Sequence, residues 1–86
     1  MSALTLRYFA WVRERLGTDI ETVDVPDHVA NAAALINWLA SRGEAHAAAF
    51  GEPRALRVAF DMKQVEADAP LVGVREVAIY PPMTGG

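Results

Sequence analysis

The residues best suited to chemistry are the last six, Pro81-Pro82-Met83-Thr84-Gly85-Gly86, which follow a strand-like run from Glu76 to Tyr80. Proline fixes φ and lacks an N–H, so the pair should end the strand and project a stiff, extended segment. Two glycines could enter a channel too narrow for any side chain. Such an arm, reaching roughly 20 Å when extended, would deliver a terminal carboxylate to another protein's site. The alternative is an ordinary frayed terminus.

Little other chemistry is available in the chain. It contains no cysteine, which excludes a disulfide, a thiolate metal site and a cysteine nucleophile. His28 and His46 are expected to be surface or loop residues, and neither has the spacing of metal ligands. No phosphate-binding glycine loop or serine–histidine–aspartate signature occurs. We therefore expect no metal, no bound cofactor and no catalysis by this chain alone.

Length and charge narrow the class of protein. A chain of 86 residues with 52% hydrophobic residues is typical of one globular domain. The net charge of −3 argues against nucleic acid as the main partner. No apolar run is long enough to span a membrane and no signal peptide is recognisable, so we expect a cytoplasmic protein. The predicted organisation is a domain over residues 1–80 and a flexible tail over 81–86.

Hydrophobic alternation predicts the strands. Leu4, Leu6 and Tyr8 share one face of a first strand, Leu4–Phe9. The following stretch, Ala10–Leu16, reads as a short turn or helix that Gly17 ends. Further strands are predicted at Ile20–Val25, Leu56–Phe60, Gln64–Glu66 and Glu76–Tyr80, with a turn at Asp61-Met62-Lys63.

One amphipathic helix should cover the sheet. Asn31 can cap a helix from Ala32 to about Arg42, with Gly43 as its C-terminal glycine. A shorter helix, Glu44–Phe50, should follow, and Trp38 is placed at the core edge. The element order predicts an α+β, ubiquitin-like β-grasp with the first and last strands parallel at its centre. The predicted core comprises Leu4, Leu6, Tyr8, Leu35, Leu39, Val58, Val77 and Ile79.

Several stretches together resemble a known family, the molybdopterin synthase small subunit, a ubiquitin-like sulfur carrier. They are Phe9-Ala10-Trp11-Val12-Arg13-Glu14, Leu16-Gly17-Thr18, Asp68-Ala69-Pro70-Leu71 and Glu76–Gly86. The chain departs from the family at Gly73-Val74-Arg75, where aspartate-glycine-aspartate is common, at Asp61, often asparagine, and at Met83, often valine. These departures bear on turns and contacts and leave the terminal residues unchanged.

The resemblance implies a reaction at Gly86. A ubiquitin-activating-like adenylyltransferase would use ATP to adenylate the Gly86 carboxylate, and sulfur would then replace AMP to give a thiocarboxylate. The large catalytic subunit of molybdopterin synthase would receive the tail residues Met83, Thr84 and Gly85 in its active site. There the sulfur would pass to cyclic pyranopterin monophosphate in molybdenum cofactor biosynthesis. Two copies of each chain would form a heterotetramer.

Three residues are candidates for contact with that partner. Phe9 and Tyr80 should share the sheet face opposite the core, and grouped exposed aromatic residues are typical of interfaces. Arg13 could contact the partner or pair with Glu14 on the surface. Other interpretations remain open: a sulfur carrier for thiazole or tRNA thiolation, a ubiquitin-like modifier or adaptor, and a plain interaction module with a dispensable tail.

Overall fold

The structure, a computed structural model, describes residues 2–82 and contains one mixed five-stranded sheet. Its strands are β1 (Ser2–Tyr8), β2 (Ile20–Val25), β3 (Arg57–Phe60), β4 (Lys63–Val65) and β5 (Glu76–Tyr80). The helices are α1 (Ala10–Leu16), α2 (Ala32–Ala40) and α3 (Glu44–Phe50), followed by a 3₁₀ helix at Pro53–Ala55. The strand order across the sheet is β2-β1-β5-β3-β4.

The first and last strands form the parallel centre of this sheet. Thr5 lies opposite Glu76, and Tyr8 lies opposite Ile79. β2 pairs with β1, and β3 pairs with β5 and β4, all in antiparallel fashion. The predicted β-grasp architecture is therefore confirmed. It follows from a sheet whose single covering layer of helices can bury only one face.

Side chains from alternate positions of the strands fill the core beneath the helices. In β5, Val77 and Ile79 are fully buried, whereas the residues between and beside them are only partly covered. This period of two places every second residue on the core face. Each predicted core residue is at most 8% exposed: Leu4, Leu6, Tyr8, Leu35, Leu39, Val58, Val77 and Ile79. The core prediction is confirmed.

Helix α2 begins where the sequence predicts and ends earlier. The Asn31 side chain accepts a hydrogen bond from the Ala34 N–H at 2.8 Å, as expected of a capping residue. The helix ends at Ala40, and the Ser41 hydroxyl donates to the Trp38 carbonyl at 2.6 Å. No helix in residues 2–82 is long and apolar enough to cross a membrane.

The prediction that Gly43 closes α2 is wrong. Gly43 instead precedes α3 as its N-terminal capping residue, with extended backbone at φ 165° and ψ 177°. A C-terminal glycine would adopt the left-handed conformation, which Gly17 does adopt after α1 at φ 74°. The Gly17 N–H donates to the Arg13 carbonyl at 2.9 Å, so the predicted end of α1 is confirmed.

β4 moves by one residue because the β3–β4 connection is shorter than predicted. Asp61 and Met62 alone form the turn, with φ of 48° and 77°, and Phe60 pairs directly with Lys63. Two left-handed residues match the twist of a two-residue hairpin. β4 therefore covers Lys63–Val65 instead of Gln64–Glu66. β1 covers Ser2–Tyr8 instead of Leu4–Phe9, and β3 begins at Arg57 instead of Leu56.

Candidate functional site

The carboxyl end of β5 defines where the candidate tail leaves the domain. Ile79 is fully buried, and its carbonyl accepts the N–H of Phe9 at 3.2 Å. Tyr80 is paired with Arg57 of β3. Two half-buried prolines, Pro81 and Pro82, follow the strand. The chain thus leaves from a strand held on both sides, and this gives the tail a rigid base.

The predicted tail residues Met83, Thr84, Gly85 and Gly86 lie outside the described residues. Their assignment as a sulfur-carrying tail, and the boundary between domain and tail, remain predictions. The described chain ends at Pro82, two residues after the last strand. Four residues beyond Pro82 would extend at most about 14 Å. The described surface around the end of β5 is therefore the surface that a partner must approach to reach Gly86.

Two aromatic residues lie at the ends of the central strands. Phe9 directly follows β1, and Tyr80 is the last residue of β5. The last pair in the parallel register of these two strands is Tyr8 and Ile79, and Phe9 and Tyr80 are the residues that follow these two in the chain. Phe9 is 43% exposed, and Tyr80 is half-buried with its hydroxyl donating to the Gln64 side chain at 3.1 Å. We call Phe9 and Tyr80 the aromatic patch. Its role as a partner interface remains a prediction.

Arg13 lies on α1, the helix that begins directly after Phe9, and is exposed. α1 itself is tied to α3 through Arg15, which donates to the Ala48 carbonyl at 3.3 Å. The Arg15 guanidinium also lies 4.8 Å from the centre of the Trp11 ring. These contacts hold the Arg13 backbone in place, although the structure assigns Arg13 no function.

The outer face of the central strands carries two small residues in register, because Ala59 of β3 lies opposite Ala78 of β5. On the other side of β5, Ala78 lies opposite Arg7 of β1. The Arg7–Glu76 ion pair, at 3.1 Å, borders these small residues and is partly exposed. The helices bury their apolar residues on the opposite face of the sheet.

The two histidines occupy different environments. His28 is exposed in the turn after β2, as predicted. His46 is half-buried on α3, with its ring 6.2 Å from Phe50 and its Nε2 3.8 Å from Glu21, so the prediction of a surface or loop position does not describe it. Within residues 2–82 no group of three or more potential ligands could hold a metal ion.

A comparison with models of protein families identifies the family of this chain. The model of the ThiS family matches residues 6–86, which include the whole sheet except the start of β1 and continue through both terminal glycines. The chain belongs to the ThiS family. Membership supports the sulfur-carrier role that the resemblance implied, without separating the molybdopterin branch from other branches. A comparison with curated proteins finds no match.

Solved structures of other proteins share the fold of this ThiS-family chain. SAMP1 from Haloferax volcanii is 22% identical with a TM-score of 0.71, covering 99% of this chain and 100% of that one. A putative molybdopterin converting factor, subunit 1, from Pyrococcus furiosus is 17% identical with a TM-score of 0.67, covering 96% and 100%. At these identities the likeness establishes the β-grasp fold alone.

Asp61 fixes the start of β5, a role that the sequence did not reveal. One carboxylate oxygen of Asp61 accepts the N–H groups of Arg75 and Glu76 at 3.2 and 3.0 Å. The Asp61 N–H in turn donates to the Glu76 carbonyl at 2.9 Å. A residue in the β3–β4 turn thus anchors the strand that carries the tail. The sequence predicted only that Asp61 lies in a turn, and it did not indicate that the side chain binds the backbone of β5.

Asp61→Ala is expected to lower the free energy of unfolding by about 1–3 kcal/mol, because two backbone donors lose their acceptor and alanine is strained at positive φ. Asp61→Asn is the matched control. Its side-chain oxygen can accept both bonds, and asparagine tolerates the left-handed conformation. Denaturant melts measure both variants. Equal losses for alanine and asparagine would show that the carboxylate oxygen does not hold β5.

A second cluster around Glu21 of β2 joins β1, α3 and the connection between α2 and α3. The Tyr8 hydroxyl donates to one Glu21 oxygen at 2.7 Å, and Arg42 donates to the other at 3.3 Å. Burial opposes ionisation of Glu21, but the Tyr8 hydrogen bond and the charges of Arg42 and His46 outweigh it and lower its pKa. Burial, reinforced by the Glu21 hydrogen bond, raises the pKa of Tyr8. Tyr8 therefore stays neutral and Glu21 charged at neutral pH.

Glu21→Ala is expected to cost about 1–3 kcal/mol at pH 7, because the buried Tyr8 hydroxyl loses its acceptor. A lowered pKa in the folded state means that the native chain favours charged Glu21, so this contribution is present above the ordinary value of 4.5 and fades as the pH falls below it. Melts between neutral and acid pH should show the variant and the wild type converging in acid.

Tyr8→Phe provides the control for this experiment. Without the hydroxyl, removing Glu21 should cost less, so the two substitutions should be non-additive in a double-mutant cycle. Additive losses, or a Glu21→Ala deficit that stays constant into acid, would show that the two side chains are not coupled.

Proposed function

We propose that this ThiS-family chain carries sulfur as a thiocarboxylate on Gly86. The observation that carries the proposal is a family match that continues through Gly85 and Gly86, in a chain with no cysteine. Without a thiol, the chain cannot hold sulfur as a persulfide. The terminal carbonyl carbon is then the site where sulfur can be bound covalently. This also means that the chain acts as a donor subunit, while catalysis takes place on its partners.

The proposed chemistry has two steps at one carbon atom. The Gly86 carboxylate attacks the α-phosphate of ATP on an activating enzyme, which gives an acyl adenylate and releases pyrophosphate. Hydrosulfide from a sulfur donor then attacks the acyl carbon, AMP leaves with the electrons of the broken C–O bond, and the new thioacid loses its proton to solvent. The product is a thiocarboxylate, which is anionic and nucleophilic. ATP binds to the activating enzyme, and this chain is proposed to bind no cofactor of its own.

The geometry of the domain suits a donor role. β5 is paired on both sides, so the tail starts from a fixed point, and positioning can contribute strongly to a transfer reaction. Tyr80 of the aromatic patch is the last residue of this strand, and Phe9 donates its N–H to the Ile79 carbonyl just before it. Acid–base groups must come from the partner, because the tail sequence contains none.

We assign the chain to molybdopterin synthase within this chemistry. The assignment rests on the Phe9–Glu14 stretch and on the Pro81-Pro82 ending. In this role the large catalytic subunit binds the tail, and cyclic pyranopterin monophosphate receives the sulfur. The second candidate is a carrier for another thiolation pathway, such as thiazole formation, and it is favoured by the match to the ThiS family model.

Mass spectrometry of the C-terminal peptide tests sulfur loading. After incubation with ATP, an activating enzyme and a sulfur donor, the peptide ending at Gly86 should gain the mass difference between sulfur and oxygen. Omitting ATP is the control and should abolish the gain. A peptide that forms the adenylate, trapped by hydroxylamine, yet never acquires sulfur would contradict the carrier role and favour a ubiquitin-like modifier.

Reconstitution separates the two pathways. Thiocarboxylated chain should convert cyclic pyranopterin monophosphate to molybdopterin when mixed with the large synthase subunit. The same preparation should be inactive with a thiazole synthase. Activity with the thiazole synthase and none with the large synthase subunit would support a sulfur carrier but contradict the assignment to molybdopterin synthase.

Tyr80→Ala is expected to weaken binding to the large subunit by about fivefold or more, because truncating an interface tyrosine that anchors a complex costs over about 1 kcal/mol. Tyr80→Phe is the matched control, since it removes only the hydroxyl that donates to Gln64. Titration calorimetry measures affinity, and thermal melts check that both variants fold. Unchanged affinity in the alanine variant would show that Tyr80 does not contribute to the interface.

A further inference from the structure

Strand β2 is an open edge of the sheet. Among residues 2–82, the strand order leaves β2 and β4 each with one side that has no neighbouring strand. β4 contains three residues, which offer little backbone for pairing. β2 contains six residues, and it has neither a bulge in its register with β1 nor a proline, two devices with which proteins block an edge. β2 is therefore the edge that can accept a further strand.

The hydrogen bonds to β1 show which backbone groups of β2 face this edge. The Tyr8 N–H donates to the Asp19 carbonyl at 3.0 Å, and the antiparallel register continues from this pair along β2. In an antiparallel pair, residues that bond to the neighbouring strand alternate with residues whose N–H and C=O groups point the other way. The backbone groups of Ile20, Thr22 and Asp24 therefore point out from the edge of the sheet.

A side-chain hydrogen bond agrees with this direction. The Thr18 hydroxyl donates to the Ile20 carbonyl at 3.0 Å, as expected for a carbonyl that points away from β1. In residues 2–82 the outward N–H and C=O groups of Thr22 and Asp24 make no hydrogen bond. A row of unpaired backbone groups of this kind is a template for pairing with another chain.

Three exposed side chains determine which strand fits the edge. Ile20 is 48% exposed, and Thr22 and Asp24 are also exposed, whereas Val23 and Val25 face the core. Because opposite side chains on neighbouring strands pack or pair, an added strand should place an apolar residue beside Ile20 and a basic residue beside Asp24. These two positions are about 13 Å apart, since a strand rises about 3.3 Å per residue. The fitting segment thus carries its basic and apolar residues four positions apart.

The charge around β2 favours a basic segment over a second copy of this chain. Asp19 lies just before the strand and Asp24 near its end, and neither forms an ion pair within the described residues. Arg7 and Arg42, the arginines beside β1 and β2, each already bind a glutamate, at 3.1 and 3.3 Å. The β2 strand of a second copy would bring the same carboxylates, and like charges across a strand pair are destabilising. A lysine or arginine on the added strand would instead be attracted.

We propose that the free edge of β2 binds a basic, extended segment of a partner protein, which joins the sheet as a further strand antiparallel to β2. The segment bonds to the outward backbone groups of Thr22 and Asp24 and places a lysine or arginine beside the Asp24 carboxylate. β1 lies between β2 and β5, so the added strand is three strand spacings, about 14 Å, from β5. This edge is thus separate from the strand that leads to Gly86, and the inference does not depend on the sulfur chemistry proposed for that residue.

The test uses the full chain with a probe strand added at its N-terminus. The probe sequence is lysine-valine-threonine-valine-valine, which places lysine beside Asp24 and the last valine beside Ile20 when the probe runs antiparallel to β2. A glycine–serine linker of about twelve residues joins the probe to the chain and raises its local concentration to the millimolar range. A second probe has glutamate in place of lysine. Each probe is also joined to the Asp24→Lys variant, which reverses the charge on the edge.

Amide hydrogen exchange, followed by NMR, measures strand addition. The lysine probe should slow exchange of the Thr22 and Asp24 N–H groups by at least about threefold relative to the unfused chain, and the glutamate probe should not. In Asp24→Lys the preference should be reversed at the Thr22 N–H. Equal protection by both probes would overturn the proposal, as would no protection by either. Sedimentation of the unfused chain should show a monomer, since a dimer formed through β2 would make a second copy the occupant.

Thr22→Pro separates strand addition from charge attraction alone. Proline is tolerated in an edge strand where the N–H faces solvent, so this variant should fold, which thermal melts check. It removes the outward donor in the middle of the row, and the lysine probe should then no longer protect the Asp24 N–H. Protection that survives this substitution would show that the probe binds by charge and not as a strand. If the variant does not fold, the reversal of preference in Asp24→Lys still decides the outcome.

Discussion

Deleting Gly86 is expected to abolish sulfur transfer while leaving the domain folded. The last buried residue of β5 is Ile79, and the core contains nothing from the stretch after it among the described residues, so the deletion removes no known packing. It does move the terminal carboxylate inward by one residue, about 3.5 Å. An acyl group displaced by that distance would lie outside bonding range of a partner's catalytic groups. Formation of molybdopterin and thermal melts measure the two effects.

Adding one residue after Gly86 should have the same consequence for the opposite reason, because the carboxylate then overshoots the site. Mass spectrometry must confirm that the added residue is still present at the end of the assay. If the intact, extended chain still makes molybdopterin, the assignment of Gly86 as the sulfur-carrying residue is wrong.

Gly85→Val should reduce the rate of transfer by roughly a hundredfold, because a branched side chain would misplace the tip within a channel shaped for glycine. Met83→Val is the matched control. It introduces the same side chain two residues earlier, at a position where valine is frequent in the family that the chain resembles. Equal activity of both variants would show that the partner's channel does not require glycine at position 85.

The fold could be predicted from the sequence because its main signals are local. The alternation in β1 and β5 and the apolar stripe of α2 assign each side chain to a face before any contact is known. Parity also predicts that Phe9 and Tyr80 face away from the core, and the strand register aligns the residues just before them, Tyr8 and Ile79. The parallel centre then follows from the handedness of the crossover.

The parts that could not be predicted depend on contacts between residues distant in sequence. Glu21 shares the face of Val23 and Val25 in β2, but nothing local indicates that it accepts the hydroxyl of Tyr8, thirteen positions earlier. Asp61 reads as a turn residue, yet it binds backbone fifteen positions later in β5. The role of Gly43 could not be predicted either. A glycine between two helices can end the first helix or cap the start of the second, and Gly43 caps the start of α3.

Backbone hydrogen bonds between the loop before β5 and the start of α2 could not be predicted either. The loop carbonyl groups at Ala67 and Ala69 accept the first N–H groups of α2, from Ala33 and Ala32, at 2.9 and 3.1 Å. These donors have no partner within the helix and must be satisfied from outside it. Nothing local in the sequence indicates that this loop accepts the N–H groups at the start of a helix more than thirty residues earlier.

Leu39→Ala is expected to have the largest effect on stability, lowering the free energy of unfolding by about 2–5 kcal/mol. Leu39 is fully buried on α2, in the same cluster as Leu6 and Val77 of the two central strands. Removing its side chain forfeits the burial of apolar surface and leaves a cavity that a small domain can close only in part. Since the total stability of such a domain is roughly 5–15 kcal/mol, the loss would be a large fraction of it.

Val72→Ala is the control for this loss, because Val72 is 88% exposed in the loop before β5 and should change stability by less than about 0.5 kcal/mol. Urea melts give both values from the transition midpoint, provided that the slope is unchanged. A loss below about half a kilocalorie for Leu39→Ala would mean that α2 does not pack on the sheet through this residue. A large loss for Leu39→Ala and a small one for Val72→Ala would show that the apolar face of α2 holds this helix on β1 and β5. The predicted tail follows β5, so the same packing supports the strand from which it starts.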